Sequence, residues 1–158
     1  MRFLFFFILV LSLNSCGFKP MYKLGGSGID LNNLSLKFKD NVSYLIREEL
    51  ESIINNNSGD SDYTILVDVK EELVPIIINT NGTVSKYQID IAIFFDVLNE
   101  MNKIILSDVS IGFAQFDVLI SEIENENLKN QMTRSAINDA SSLMITKIQS
   151  KLSTTNDN

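Results

Sequence analysis

Apolar positions along the chain switch between two periods, and each switch marks a new element. Leu34, Leu36 and Phe38 alternate with Ser35 and Lys37, which predicts a short half-buried strand over residues 29–38. The period then changes: Val42, Leu45, Ile46, Leu50, Ile53 and Ile54 fall on one side of a helix, with Arg47, Glu48 and Glu51 elsewhere. Asp40 and Asn41 precede this helix as candidate N-caps, and the polar cluster at residues 55–60 ends it. Alternation returns at residues 62–71, where Tyr63, Ile65, Val67 and Val69 share a face. Pro75 interrupts the apolar stretch that follows, and a residue without an N–H belongs at a bulge or a sheet edge. Asn81-Gly82 is the strongest turn signal in the chain.

From residue 84 to 98, Tyr87, Ile89, Ile91, Ile93, Phe95 and Val97 make one continuous face, opposed by Lys86, Gln88, Asp90 and Asp96. A polar turn at residues 99–102 leads to a fourth strand over 105–113, with Val109, Ile111 and Phe113 on one face. From about Ser121, the residues Leu128, Met132, Ala136, Ala140, Leu143, Met144, Ile148 and Leu152 recur at helical spacing, and a polar tail occupies 153–158. The order β-α-β-β-β-α predicts an α+β fold, two helices packed on one face of a largely antiparallel four-stranded sheet. The opposite sheet face is more polar yet carries Ala92, Phe94 and Leu98, the mark of a partner surface.

Composition narrows the chemistry. With 158 residues, 45% of them apolar, the chain fits one globular domain. Twenty acidic against 13 basic residues, with no basic run, argue against a nucleic-acid binder, which needs clustered Lys and Arg. One cysteine and no histidine exclude an internal disulfide, Cys/His zinc sites and histidine acid/base catalysis. No glycine-rich phosphate loop follows a strand, and Gly25, Gly26 and Gly28 read as linker. The acidic groups Glu48-Glu49, Glu71-Glu72 and Glu122, Glu124 and Glu126 are adjacent or alternate, the spacing of solvated faces more than of a cation or acid/base site. No enzyme activity, metal or cofactor is expected.

The lone cysteine is accounted for by its position. Residues 1–16 read MRFLFFFILVLSLNSC: one positive charge at Arg2, an unbroken apolar run from Phe3 to Leu11, then small or polar residues. That run is about half of what a membrane-spanning helix needs, so it reads as the core of a signal peptide. Leu13-Asn14-Ser15-Cys16 resembles a lipobox, which makes 1–15 a lipoprotein signal peptide and Cys16 the lipid attachment site. Residues 16–28 become a lipidated flexible tether, and 29–152 the folded domain. Loss of Arg2 with the leader takes the net charge from −7 to −8. Two or more acyl chains on Cys16 suffice for stable anchoring. Gly17 stands where many inner-membrane lipoproteins carry Asp, so by resemblance the sorting is to the periplasmic side of the outer membrane.

The run Cys16-Gly17-Phe18-Lys19-Pro20-Met21-Tyr22 resembles the CGFxPLY opening of the LPS-assembly lipoprotein family, LptE, with Met21 in place of Leu. The similarity extends over the tether, the amphipathic helix, the Asn81-Gly82 hairpin leading to Lys86-Tyr87-Gln88, the long strand and the C-terminal helix. What the resemblance implies is a non-enzymatic subunit that plugs the large outer-membrane β-barrel LptD, aids its assembly, and supports transport of lipopolysaccharide into the outer leaflet. It also implies lipopolysaccharide contact near the hairpin, where Thr80, Asn81, Gly82 and Lys86 are the candidates; Thr80 stands where the family carries a basic residue. The alternative is a periplasm-facing lipoprotein that binds an apolar ligand or assists a transporter through the Phe94/Leu98 face.

Overall fold

The computed structural model describes residues 34–39, 41–54 and 61–155. The expected leader, Cys16, the tether, residues 29–33, Asp40, the polar cluster 55–60 and residues 156–158 lie outside them. The order is β1 (Leu34–Phe38), α1 (Tyr44–Ile54), β2 (Tyr63–Ile78), β3 (Val84–Asn99), β4 (Ile104–Asp117) and α2 (Glu122–Thr155), the expected α+β arrangement. The strands form one sheet in the order β1-β2-β3-β4. β1 runs parallel to β2, and the other two pairings are antiparallel.

Several boundaries move, each for a local reason. The first helical hydrogen bond of α1 runs from Arg47 N–H to Ser43 O at 3.0 Å, so Ser43, and not Asp40 or Asn41, takes the cap position. β2 continues through Pro75, with a register shift between Pro75 and Ile77. Lys39 N–H donates to Val67 O on the β1 side, so every second residue from Val67 turns its backbone polar groups away from β3. Pro75 has that parity, and there its missing N–H costs no ladder bond. β4 extends to Asp117 because Phe116 is buried and stacks on Tyr87, with ring centroids 5.8 Å apart. α2 starts just after Ser121, whose Oγ accepts from Glu124 N–H at 3.4 Å in a Ser-x-x-Glu capping arrangement. At its other end α2 runs to Thr155, into the stretch expected as tail, past the buried Leu152.

Both hairpin loops adopt one form. Asn79 N–H meets Thr83 O at 2.8 Å and Gly82 N–H meets Asn79 O at 2.9 Å; Asn99, Lys103 and Asn102 repeat the pattern at 3.1 and 2.8 Å. These are three-residue loops whose last residue is left-handed, Gly82 at φ 84° and Asn102 at φ 56°.

The core lies between the sheet and the two helices. Ile89, Ile91, Ile93, Phe95 and Val97 of β3 are buried against Ile46, Leu50 and Ile54 of α1 and a line along α2 that includes Ala136, Ile137, Ala140, Met144, Ile145 and Ile148. Leu143, expected on that line, is 43% exposed, one position off the buried stripe held by Met144 and Ile145. Gly112 of β4 sets the closeness of the layers: a Cβ there would fall 2.1 Å from Ala136 O and 2.7 Å from Ala140 N. Thirty-four helical residues at about 1.5 Å each and sixteen extended ones at about 3.3 Å give matching lengths near 50 Å, so α2 covers the sheet from end to end.

Polar groups fasten the helices. Arg134 of α2 is paired with Glu48 and Glu49 of α1, and Asn138 Nδ2 donates to Glu49 Oε1 at 3.1 Å. Lys147 Nζ donates to Asp108 Oδ1 at 2.9 Å and Val109 O at 2.7 Å, tying α2 to β4.

Candidate interaction surface

Alternation along the strands sends every second residue to the sheet face that no helix covers. The registers place Phe94 between Asp68 and Val109, Ala92 between Lys70 and Ile111, and Asp90 between Glu72 and Phe113. Phe94, Ile111 and Phe113 are 47%, 59% and 60% exposed. The apolar face that sequence alternation assigned to β4 thus joins Phe94 and Ala92 on the open side. Polar rows bound this patch. Ser107 Oγ donates to Asp96 Oδ1 at 2.6 Å on one side. On the other, Gln115 Nε2 donates to Gln88 Oε1 at 2.9 Å and Gln88 Nε2 to Asp90 Oδ1 at 2.7 Å. The face is thus apolar in the middle and internally hydrogen-bonded at its margins, a form that meets a partner without leaving buried polar groups unpaired.

The residues singled out near the Asn-Gly turn all lie on the β2–β3 hairpin. Thr80, Asn81 and Gly82 form its loop, where Asn81 Oδ1 accepts from Thr83 N–H at 3.1 Å and Thr83 Oγ1 at 2.7 Å, so the Asn81 carboxamide oxygen serves the turn. Lys86 lies further down β3 and pairs with Asp117 Oδ1 at 3.2 Å. The ammonium expected to meet an anionic ligand is therefore already opposite a carboxylate.

The acidic groups are spread as expected of surface positions, with one exception. Glu72 pairs with Lys70 and Glu126 with Lys129, both at exposed sites, whereas the Glu49 side chain is only 15% exposed inside the Arg134 clamp. No group of three or more His, Cys, Asp or Glu placed to hold a metal ion occurs among the described residues. Asp108 is the one described group whose ionisation shifts clearly: the hydrogen bond from Lys147 holds its carboxyl below the usual range, helped by Val109 N–H. That pair fastens α2 to β4, and Asp108 also lines the hollow beside Phe94. A hollow of about 250 Å³ beside Phe94 is lined by Lys39, Asp96, Ser107 and Val109, smaller and more charged than a typical site for an apolar small molecule. No helix among the described residues is long and apolar enough to cross a membrane.

The architecture has counterparts. A Caulobacter crescentus protein described as a lipoprotein superposes with TM-score 0.64 at 12% identity, over 79% of this chain and 93% of its own. Rare lipoprotein B of Shewanella oneidensis gives TM-score 0.58 at 14% identity, over 79% and 98%. A minor lipoprotein of Acinetobacter baumannii gives 0.57 at 14%, over 78% and 94%. This chain shares their fold. Almost the whole of each of those chains is matched, by more than three quarters of this one. No protein-family model matches the sequence, and no curated protein does.

Sequence patterning did not single out Gly112 or the Arg134–Glu49 clamp. A glycine inside a strand is itself a signal of close approach, and Gly112 was findable on that ground. The clamp joins residues 85 apart in sequence and leaves no local trace.

Proposed function

We propose that this chain is an outer-membrane lipoprotein, acylated at Cys16 and held on the periplasmic side, that fills the lumen of the LptD β-barrel and helps it assemble, so that lipopolysaccharide reaches the outer leaflet. Its role is structural and not enzymatic. The observation that carries this reading is the shared fold of solved lipoproteins over nearly their full length, in a chain whose single cysteine opens the run CGFKPMY.

The surface supports it. A body near 50 Å long is of the order of a bilayer with its headgroups, about 40–45 Å. The interior wall of a large barrel is polar, and the open sheet face offers rows of hydrogen-bonded acids, amides and hydroxyls around its apolar centre. Direct contact with lipopolysaccharide phosphates through Lys86 requires that Asp117 give up its ion pair.

Isolation of the tagged full-length chain from detergent-solubilised outer membranes tests this. The expected result is stoichiometric recovery of a large β-barrel protein, identified by peptide mass spectrometry. Recovery of the chain alone, or from inner-membrane fractions, would overturn the reading.

A further inference from the structure

The end of the molecule formed by the β2–β3 hairpin and the β4–α2 connection is a second apolar surface, different in kind from the open sheet face. β1 reaches only as far as Val67 on β2, so beyond it the outer edge of β2 has no strand partner among the described residues, while β3 stays paired with β4 as far as Lys86. There Ile76, Ile77 and Ile78 are 38%, 49% and 61% exposed. Ile120 is fully exposed and Ile123 largely so. The two segments are stitched together, since Val118 N–H donates to Ser85 O at 2.9 Å and Ser85 Oγ to Ile77 O at 3.4 Å. Neither residues 73–85 nor residues 118–121 contain a single charged side chain. The charges that flank them in sequence are Glu72, Lys86, Asp117 and Glu122, with Lys86 and Asp117 paired, and Ile123 lies between Glu122 and Glu124 on α2.

We propose that this end inserts into the headgroup–hydrocarbon boundary of a lipid bilayer. The exposed side chains are aliphatic, without the Trp, Tyr and Arg that dominate protein–protein hot spots. Several polar groups that would resist leaving water are already satisfied. Asn79 Nδ2 donates to Thr83 Oγ1 at 3.0 Å, and Asn81 serves Thr83 as described. Asn125 takes both main-chain groups of Leu119, at 2.6 and 2.7 Å. In an apolar layer a segment must satisfy its backbone internally, and these two connections do much of that already. The open sheet face, by contrast, interleaves its apolar residues with Asp68, Lys70, Glu72 and Asp90, which no hydrocarbon layer accepts. The inference stands on this surface alone and concerns the chain before a barrel encloses it, so its test needs no barrel.

The chain has no tryptophan, so one introduced indole reports unambiguously. Full-length chain carrying Ile120→Trp is mixed with phosphatidylcholine vesicles, beside Met101→Trp, whose site lies in the β3–β4 loop at the other end and is 84% exposed. The expected result is a blue shift of the Ile120→Trp emission and its quenching by lipids brominated in the acyl chains, with neither for Met101→Trp. Adding Ile77→Asp and Ile78→Asp to Ile120→Trp abolishes both effects with an unchanged far-ultraviolet circular dichroism spectrum. Emission of Ile120→Trp that stays as water-exposed as that of Met101→Trp overturns the proposal. So does a blue shift that appears without vesicles and grows with protein concentration, which would make this end a contact between copies.

Discussion

Ser110 lies on the helix-facing side of β4, 1% exposed, and its hydroxyl has no hydrogen-bond partner among the described residues. A hydroxyl that loses water and gains nothing is a cost, so Ser110→Ala raises the unfolding free energy by about 1 kcal/mol in urea titrations; a loss instead would reveal a partner for Oγ. The two hairpin loops supply a matched test. Gly82 and Asn102 hold equivalent left-handed positions, and nothing crowds a Cβ at Gly82. Gly82→Ala therefore loses about 1 kcal/mol from backbone strain alone, while Asn102→Gly gains a few tenths, roughly, in the same titration. At this scale the sequence is readable where chemistry is local: Asn81-Gly82 announces its turn, and Ser121 with Glu124 its helix start. It is silent on Ser110, whose isolation depends on how α2 lies over it.

Among the elements, β3 was the most legible, because strict alternation over sixteen residues leaves one assignment of faces, and the buried set is Ile89, Ile91, Ile93, Phe95 and Val97 as the pattern requires. The start of α1 was less so: Asp40, Asn41 and Ser43 are all good caps by residue type, and the apolar periodicity does not choose among them. How α2 meets β4 was not legible. Gly112→Ala drives a methyl into the main chain at Ala136 and Ala140, so the helix must shift, with a loss of about 2–3 kcal/mol by thermal or chemical denaturation. The Lys147–Asp108 pair gives a pH signature. Asp108 has a depressed folded-state pKa, so its contribution is present above the ordinary carboxylate range and is lost as the pH falls through that folded value. Asp108→Asn should accordingly lower the melting temperature at neutral pH and match the parent in strong acid; a constant difference would assign the effect to packing instead.

At the scale of the whole molecule, the helix-backed sheet has a polar-rimmed open face along its length and an uncharged isoleucine-rich tip at one end. The α+β class and an apolar centre on the open sheet face followed from periodicity. The breadth of the face did not, because Ile111 and Phe113 join Phe94 only once the β3–β4 register is known. The tip stayed hidden for the same reason: residues 76–78 and 118–120 are far apart in sequence, and Ser85 bonds to both stretches only once the chain is folded. The account as a whole depends on where the chain is held. Mass spectrometry of the N-terminal peptide of the native protein, recovered from its own membranes, tests this most directly. The predicted result is a chain that begins at Cys16 and carries a diacylglyceryl thioether and an N-acyl group; a chain that begins at Met1, or an unmodified Cys16 thiol, would contradict it.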